Sequence, residues 1–296
     1  MQLIGRGKVK DIYRDNDHLV FVFSDRISVF DKVIPNEVPS KGEVLCRCAA
    51  HWFRVIDGMG MNHHYLSSEK NSMKVRRVDV ITDYSQLNHS TKSYLIPVEV
   101  ICRHYVAGSL HDRLKKGRIA PEDLGLGSIP EYGEPLPEPF IEFTTKLEEH
   151  DRSITEEEAL EISGMTREEL DTVKEWVLRI DERMARDVRP RGLIHVDGKK
   201  EFAFDGERNL MVIDTFGTPD EDRFWDVREY ENGRYIELSK EFVRQYYRST
   251  GYHEELQKAR EAGQREPEIP PLPQEMVEQV QRVYVDLYER ITGEGW

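Results

Sequence analysis

The chain has 296 residues, of which 38% are hydrophobic and 33% charged, so it is long enough for one large or two modest domains with a real core. Its net charge of −14 argues against general binding to nucleic acid or to an acidic membrane, since both need a basic surface, but it leaves room for a local anion site. No run of about 18 apolar residues occurs, and the N-terminal segment lacks an apolar stretch of signal-peptide length, so no membrane span is expected.

The first third of the chain is rich in strand patterns. The segments KVKDIY and LVFVFS flank the polar cluster RDNDH and so predict a β-hairpin. A helix is predicted to follow from Ser40, because Ser40 and Glu43 form a capping-box pattern, apolar residues then recur at helical spacing, and Gly58 would end it. Further strands are predicted in MKVRRVDVI and SYLIPVEVICRHYV.

Helical patterns become frequent after residue 150. Two further capping-box patterns begin at Thr155 and Thr166, and the second opens a predicted helix of about five turns that ends at RPRG. Two more helices are predicted near residues 239–248 and over residues 273–292.

A second hairpin is predicted over residues 193–214, with its turn near Asp205. The pattern as a whole indicates an α+β protein. We expect a β-rich N-terminal lobe over residues 1–92 and an α+β remainder over residues 93–296.

Three cysteines, at positions 46, 48 and 102, are too few for a disulfide framework. Cys46 and Cys48 are also too close together for a metal site, so we expect plain packing, reduced thiols and a cytoplasmic protein. Nothing in the sequence decides whether the protein forms a homo-oligomer.

Glycines precede a Lys-x-Lys strand in the segment GRGKVKDIY. Gly7 would let the backbone approach a phosphate closely, and Lys8 and Lys10 would add positive charge. The segment is not a Walker A loop, because it lacks the Gly-Lys-Ser/Thr ending. It looks more like the glycine-rich hairpin of kinase-type and grasp-type ATP sites, although an ordinary turn with solvated lysines remains an alternative.

Two polar segments have less specific patterns. Asp25, Arg26 and Ser28 end an apolar strand, where they would face a cleft or form a local salt bridge. The segment EEHDRS, residues 148–153, would help to hold a cation or an amine, or else be a polar loop. No chemistry is predicted for the pair His63-His64, which has no carboxylate or cysteine nearby in the sequence.

The segment PVEVICRHYVAGS combines a buried-looking strand with charged residues. Glu99 and Arg103 would point to the same face, two pleats apart. A buried charge is costly unless it is paired or bound to a ligand, and Arg suits carboxylate and phosphate recognition. The following turn would offer backbone N–H groups and the Ser109 hydroxyl to an anion. A structural Glu–Arg bridge is the alternative.

The strongest local pattern is the second hairpin. Asp197, Lys199 and Glu201 alternate along its first strand and so share a face, and Asp214 on the return strand is expected on that face, near Asp197. Three carboxylates on a rigid sheet suit Mg²⁺ with bound phosphate. The segment TPDEDRFWD follows, and its Arg223 close to a metal site would fit phosphate binding, unless the segment is a surface loop.

Taken together, these motifs resemble the SAICAR synthetase family, in the family's order and over nearly the whole chain, from GKVKDIY to YERITG. The resemblance implies two α+β lobes, the N-terminal one similar to kinase and ATP-grasp lobes, with the active site between them. It implies an ATP-dependent ligase of purine biosynthesis. This enzyme joins L-aspartate to carboxyaminoimidazole ribonucleotide (CAIR) through an acyl phosphate, giving the succinocarboxamide product (SAICAR), ADP and phosphate.

The resemblance also implies roles for the residues that match its motifs. For the nucleotide and Mg²⁺, ATP-binding roles fall on Gly7, Lys8, Lys10, Leu95, Val98 and Asp197, metal-binding roles on Glu201 and Asp214, and a catalytic role on Lys199 together with Glu201 and Asp214. For the other substrates, binding roles fall on Asp25, Arg26, Ser28, Glu99, Arg103, Ser109, Asp220 and Arg223.

Several positions depart from the family pattern. His195 and Gly217 stand where aliphatic residues are usual, Thr215 replaces an acidic residue, and Glu221 and Asp222 replace small residues. These changes bear on the acceptor and amine substrates. A related carboxylate–amine ligase and a small-molecule kinase therefore stay open as alternatives. A protein kinase is excluded by the absence of an HRD-like loop, and a non-catalytic nucleotide-binding protein is opposed by the retained carboxylates and lysines.

Overall fold

The computed structural model describes residues 1–148, 151–236, 238 and 241–296, with Glu241 described by its backbone alone. The strands are β1 (Gln2–Arg6), β2 (Lys10–Asp15), β3 (His18–Phe23), β4 (Arg26–Val29), β5 (Lys32–Glu37), β6 (Tyr65–Glu69), β7 (Ser72–Arg76), β8 (Tyr94–Tyr105), β9 (Pro135–Thr145), β10 (Ser153–Ile154), β11 (Leu193–Phe204), β12 (Leu210–Ile213) and β13 (Asp222–Asp226). The helices are α1 (Lys41–Asp57), α2 (Gly108–Lys115), α3 (Glu156–Ser163), α4 (Arg167–Val188), α5 (Val227–Glu231), α6 (Glu241–Ser249), α7 (Tyr252–Glu261) and α8 (Gln274–Thr292).

The N-terminal region is built on a five-stranded antiparallel sheet in the order β1-β2-β3-β7-β6, with β4 and β5 forming a separate two-stranded ribbon. The predicted first hairpin is confirmed as β2 and β3, where Asp15 lies opposite His18 across a two-residue turn. This hairpin places the lysine strand β2 beside the apolar strand β3.

Helix α1 begins where the sequence predicted, but its cap is different. Ser40 has a left-handed backbone (φ 69°) and makes no side-chain cap, so the predicted capping box is wrong here. Asp25 caps the helix instead, because its Oδ1 accepts a hydrogen bond from the Gly42 N–H at 2.9 Å. A Cβ atom on Gly42 would lie 2.6 Å from the Phe23 carbonyl oxygen, so the helix start packs directly on the end of β3.

The later helices follow the sequence patterns closely. Thr166 forms a complete capping box with Glu169, and Thr155 accepts a hydrogen bond from the N–H three residues on. Helix α4 ends at Val188, directly before the predicted RPRG stop. The helix predicted near residues 239–248 corresponds to α6, and its first two residues lie outside the described residues.

The central sheet has six antiparallel strands in the order β10-β9-β8-β11-β12, and β13 pairs with the first half of β11. Asp197 lies opposite Arg103, and Glu201 opposite Glu99. Odd-numbered side chains of β8 and of β11 from Asp197 onward therefore share one face, while even-numbered side chains face helix α4.

One hydrophobic core serves both sheets. Its fully buried members include Trp52 and Phe53 of α1, Val177 of α4 and Leu287 of α8. Because this cluster draws on residues from 21 to 291, the division into lobes at residue 92 stays a prediction. In the part of the chain that the structure describes, no helix has the length and apolar character needed to cross a bilayer.

Candidate active site

A cavity of about 180 Å³ lies between the N-terminal sheet and the β11–β12 hairpin. Its apolar wall consists of Ile12, Leu19, Phe21, Val78, Val80, Leu95 and Ile213, and its polar end of Lys10, His64, Arg76, Lys146, Glu201 and Asp214. An apolar slot that ends in lysines and carboxylates suits a flat base attached to a charged group.

The charged end of this cavity is organised around Lys146, which directly follows β9. Its ammonium contacts Glu201 Oε2 and lies 3.9 Å from Asp214 Oδ2, while Lys10 pairs with the other oxygen of Asp214. Glu201 is 1% exposed, and burial alone would raise its pKa. Lys146 and Lys199 outweigh burial and hold the pKa of Glu201 well below its ordinary value, so this carboxylate is ionised.

The two carboxylates predicted to bind metal converge on a common position. The Lys146 ammonium stands between Glu201 and Asp214 in this structure. Carboxylate oxygens are the ligands that Mg²⁺ prefers, and two that already share one cation fit such an ion. The arrangement of Glu201 and Asp214 is therefore compatible with the Mg²⁺ site predicted from the sequence.

Asp214 is held in an unusual backbone conformation at the end of β12. Its φ is +59°, and its carbonyl oxygen lies 3.1 Å from His64 Nε2. His64 is 3% exposed, and burial keeps its pKa well below the ordinary value, so it is neutral and donates this hydrogen bond. His64, for which no chemistry was predicted, thus has a structural contact that supports Asp214 from within the cavity wall.

Asp197 lies elsewhere. The hairpin register pairs Ile213 with Glu201, so Asp214 comes to the Glu201 end of β11. Asp197 lies four residues away and accepts a hydrogen bond from Arg103 at 3.0 Å. The expectation that Asp214 lies near Asp197 is wrong. Asp197 lies outside the first cavity and contacts Arg103, so the ATP-binding role predicted for it is corrected.

The glycine-rich turn is ordered by its own contacts. The Gly7 N–H donates to the Lys10 carbonyl at 2.8 Å, and Arg26 donates to Asp11 at 2.6 Å and to the Gly7 carbonyl at 3.1 Å. Arg26 thus supports the turn, and its predicted substrate contact stays a prediction. Lys8 extends outward to Asp31 at 2.5 Å, whereas Lys10 points into the cavity.

Two further predicted residues lie away from the described cavities. Leu95 lines the nucleotide-type cavity, but Val98 is fully buried in the main core, and its backbone pairs with Thr145. The adenine-contact prediction for Val98 is corrected, because alternation along β8 and a register shift near Pro97 turn its side chain inward. Ser28 is 5% exposed within the β4–β5 ribbon and lines none of the cavities described here.

The segment EEHDRS is described only in part. Glu148 pairs with Arg152 at 2.9 Å, and Glu149 and His150 lie outside the described residues.

A larger cleft of about 740 Å³ lies next to the first cavity, farther along the same face of β11. Its positively charged lining consists of Arg103, Lys116, Lys199, Arg223, Arg244 and Arg248, and its carboxylates are Asp112, Asp197, Asp220, Glu221 and Glu261. Such a lining suits a large anion bound at several points.

Arg103 is the centre of the cleft floor and is 6% exposed. Its guanidinium donates to Glu142 at 2.6 Å, to Asp197 at 3.0 Å and to the Ser109 hydroxyl at 3.2 Å. The predicted Glu99–Arg103 bridge is not formed, since Arg103 takes Glu142 and Asp197 as partners. These contacts hold the guanidinium beside the first turn of α2.

Arg223 lies against that same turn. A Cβ atom on Gly108 would be 2.6 Å from both terminal nitrogens of Arg223, and Gly108 has a φ of +51°. Only glycine allows this approach. Two guanidiniums, the Ser109 hydroxyl and the N-terminus of α2 therefore meet in one place, which is the composition of a phosphate site.

Asp220 lines the cleft wall, where a substrate-binding role is predicted for it. Its carboxylate is 3% exposed and accepts from Lys41 at 2.8 Å and from the Tyr284 hydroxyl at 2.6 Å. These contacts tie the TPDEDR loop to α1 and α8, and the substrate-binding role of Asp220 stays a prediction.

Lys199 lies between the two cavities. Its ammonium donates to Glu99 at 2.6 Å and to Glu201 at 3.1 Å, and it lies 3.6 Å from Glu221. These carboxylates raise the pKa of Lys199 well above its ordinary value, against the opposing effect of burial. The lysine is a fixed positive charge at the junction.

Behind β11, on the side of α4, lies a fully buried ionic cluster. Lys200 contacts Asp181 and lies 3.4 Å from Asp222, whose other neighbour is His195 Nε2 at 2.7 Å. Asp181, His195 and Asp222 are close enough together to hold a metal ion, as are Cys102, His104 and Asp181. The Lys200 ammonium already supplies a cation to both carboxylates, so their charge is compensated without a metal, while His195 Nδ1 has no hydrogen-bond partner among the described residues.

The structure explains several of the positions at which the sequence departs from the family pattern. His195 and Asp222, which depart at separate positions, contact each other. Gly217 has a φ of +68°, and a Cβ atom there would lie 2.2 Å from the Trp52 ring, so an aliphatic residue would not fit. Thr215 is buried, and the structure gives no reason for its identity.

Some site residues were not foreseen. Lys146 belongs to the Thr145-Lys146 pair, which is one of the motifs shared with the family. That pair was the available signal, but Lys146 was given no role. Lys41, Arg244, Arg248 and His253 reach the site from helices. No local pattern marked them, because their approach depends on helix packing.

Comparison with known proteins agrees with this architecture. The sequence pattern of SAICAR synthetase matches residues 3–259. The phosphoribosylaminoimidazole-succinocarboxamide synthases of Thermoplasma acidophilum and Thermoplasma volcanium are each 54% identical over the full length of both chains. A Saccharomyces cerevisiae SAICAR synthase solved with SAICAR aligns with a TM-score of 0.74 and 25% identity, covering 99% of this chain and 95% of that one. A SAICAR synthetase solved with ADP aligns at 0.70 and 24% identity, covering 99% and 98%.

The α+β fold, the family match and the relatives together define an ATP-dependent ligase. One cavity combines an apolar slot with lysines and carboxylates, and the other is lined by arginines. The chain belongs to the SAICAR synthetase family.

Proposed function

We propose that this protein condenses L-aspartate with CAIR in purine biosynthesis, using ATP and giving SAICAR, ADP and phosphate. The observation that carries the proposal is the position of Lys199, which contacts Glu201 of the nucleotide cavity and faces the arginine-lined cleft. Two anionic substrates bound in these cavities would meet at this lysine.

The chemistry requires such a junction. A carboxylate is a poor electrophile, so the CAIR carboxylate must first receive a phosphoryl group from ATP and then be attacked by the aspartate amine. Three anionic substrates must come together, and positioned cations lower the cost of doing so. Lys10, Lys146 and Lys199 are the cations on the nucleotide side of the junction.

On the nucleotide side, the apolar slot around Leu95 would receive the base, and Lys10 would contact the phosphates. Glu201 and Asp214 would hold Mg²⁺, which when bound neutralises phosphate charge and orients phosphate oxygens. Lys146 supplies the cation between these carboxylates when the metal site is empty, and it would move to a phosphate oxygen when the site is filled.

On the ribotide side, Arg103, Arg223 and Ser109 would bind the CAIR phosphate at the first turn of α2. The fixed pairs of Arg103 with Glu142 and Asp197 keep its fork oriented before substrate arrives. Glu99 would lie near the imidazole ring, next to Lys199. We further propose a cytoplasmic location, where ATP and ribotide intermediates are made.

An ADP-release assay with purified protein tests the function. We expect turnover to require ATP, CAIR and L-aspartate together, and we expect the product to be SAICAR by mass spectrometry. Turnover without an amine would instead indicate a kinase. Turnover with CAIR replaced by another carboxylate, or with another amino acid in place of aspartate, would indicate a related ligase.

A further inference from the structure

Glu221 is an unexpected residue in an anion-binding cleft. Its carboxylate is about one-fifth exposed and lines the cleft that also contains Arg103 and Arg223. Its ion-pair partner, Lys199 Nζ, is 3.6 Å away, beyond a normal hydrogen bond and already bound by two other carboxylates. A carboxylate here should repel a phosphate or dicarboxylate substrate unless it has a cation to bind.

The backbone around Glu221 is fixed, so this placement is built into the fold. The next residue, Asp222, accepts from the Gly217 N–H at 2.6 Å and from His195 at 2.7 Å, and lies 3.4 Å from Lys200. A Cβ atom on Gly198 would be 1.8 Å from Asp222 Oδ2, so the carboxylate lies flat on the β11 backbone.

The preceding turn adds a second anchor. The N–H groups of Glu221 and Asp222 both donate to the Thr218 carbonyl, at 3.2 and 2.9 Å, and Thr218 is 1% exposed. Glu221 thus extends into the cleft from a rigid loop.

Glu221 lies where the two cavities meet. It shares the Lys199 ammonium with Glu99 and Glu201, and its charge also acts on Lys10 in the nucleotide cavity. The acyl phosphate must form between these cavities, so the amine must approach at this same place.

Among the groups that react, only the amino acid carries a positive charge, on its α-ammonium. A carboxylate is the natural partner for an ammonium, and a charge-assisted hydrogen bond also fixes direction. We propose that Glu221 binds the α-ammonium of the amino acid substrate and directs its nitrogen toward the acyl phosphate. One ammonium proton passes to solvent before attack, and the lone pair of the resulting amine forms the C–N bond. The bond between the acyl carbon and the phosphate oxygen breaks, and the leaving phosphate takes up the second N–H proton as the amide forms. This inference rests on the proposed ligase function and assigns its amine subsite.

The Glu221→Gln variant tests the assignment, because it keeps the shape of the side chain and removes its charge. We expect the KM for L-aspartate to rise about 10-fold or more, as expected for loss of a hydrogen bond to a charged group. The KM values for ATP and CAIR should change less than about twofold. Glu175→Gln, which removes the same charge from the exposed face of α4, outside both cavities, is the matched control and should leave the KM for aspartate unchanged.

Succinate separates recognition of the ammonium from a general effect of charge, since it has both carboxylates of aspartate and no amine. Its inhibition constant should stay the same or fall in Glu221→Gln. The assignment is overturned if the KM for aspartate falls or changes less than about twofold in Glu221→Gln, if succinate weakens as much as aspartate, or if Glu175→Gln has the same effect.

The outcome stays separate from that of the proposed function. If the wild-type protein uses a different amino acid, the same comparison is made with that amino acid and its deaminated analogue. If the wild-type protein turns over without any amine, both the function and this assignment fail.

Discussion

Lys10 is the residue whose surroundings most directly set a measurable property. Burial lowers its pKa to about 8, against the opposing effects of Glu221 and Glu201. The lysine is charged below this value and neutral above it, so the free enzyme loses a phosphate-binding charge within an accessible pH range.

We expect the KM for ATP to rise by about tenfold between pH 7.5 and 9, because the fraction of free enzyme with charged Lys10 falls tenfold per pH unit above the pKa. Steady-state kinetics at saturating CAIR and aspartate measure this rise. The Lys10→Arg variant is the control, since a guanidinium stays charged throughout and its profile should be flat. An equal slope in both proteins would show that another group titrates.

At the same scale, sequence patterns could predict residues that share a strand but not those that meet across the fold. Alternation along β11 placed Lys199 and Glu201 correctly on one face. His64 was dismissed because its partner, Asp214, lies 150 positions away in the chain. Lys146 needed the same long-range information, since it follows β9 and contacts Glu201 on β11, with β8 between these two strands in the central sheet.

The strand β11 is the element on which both halves of the site depend. Lys199 and Glu201 face the cavities, while Lys200 between them enters the buried cluster on the side of α4. The sequence predicted this strand and its hairpin turn. It did not reveal the cluster, because Asp181 comes from a separate helix, α4.

We expect Lys200→Met to lower the free energy of unfolding by about 3–5 kcal/mol, because it leaves the Asp181 carboxylate buried without its cation. Burial would raise the pKa of Asp181, and Lys200 is the main influence that holds it well below its ordinary value. Urea denaturation measures the loss. Lys258→Met is the control, since that lysine pairs with Glu254 on the surface and should contribute less than about 1 kcal/mol. Similar losses in both variants would contradict a stabilising role for the cluster.

Helix starts show the same limit of local patterns. The box at Thr166 and the N-cap at Thr155 were predicted correctly because each cap is made within four residues, although Thr155 lacks the reciprocal bond of a full box. The cap of α1 comes from Asp25, sixteen residues before the first helical residue, and Ser40 lies in a left-handed turn without a side-chain cap.

At the scale of the whole molecule, the two cavities are lined by strands and helices that share a single core, so a ligand in either cavity should stabilise the entire fold. A ligand at 100 times its dissociation constant stabilises the native state by about 2.7 kcal/mol. For a chain of this length that corresponds to a rise in Tm of roughly 5 °C.

We expect ATP with Mg²⁺ to raise the Tm more than ATP with a chelator, because Glu201 and Asp214 would share the metal with the nucleotide. Thermal unfolding followed by fluorescence measures the difference and needs no turnover. In Glu201→Gln the two conditions should give the same Tm. A magnesium-dependent increment that survives in this variant would remove Glu201 from the metal site.

The contact between His195 and Asp222 also limits the order in which these two residues of the buried cluster can arise by mutation. A buried carboxylate without enough donors is strongly destabilising, whereas a buried neutral imidazole is tolerated more easily. Histidine at position 195 would therefore be the permissive step, after which aspartate at 222 becomes affordable. Once both are present, reverting the histidine alone leaves Asp222 with only the Gly217 N–H and Lys200 as donors, so the two positions should be inherited together.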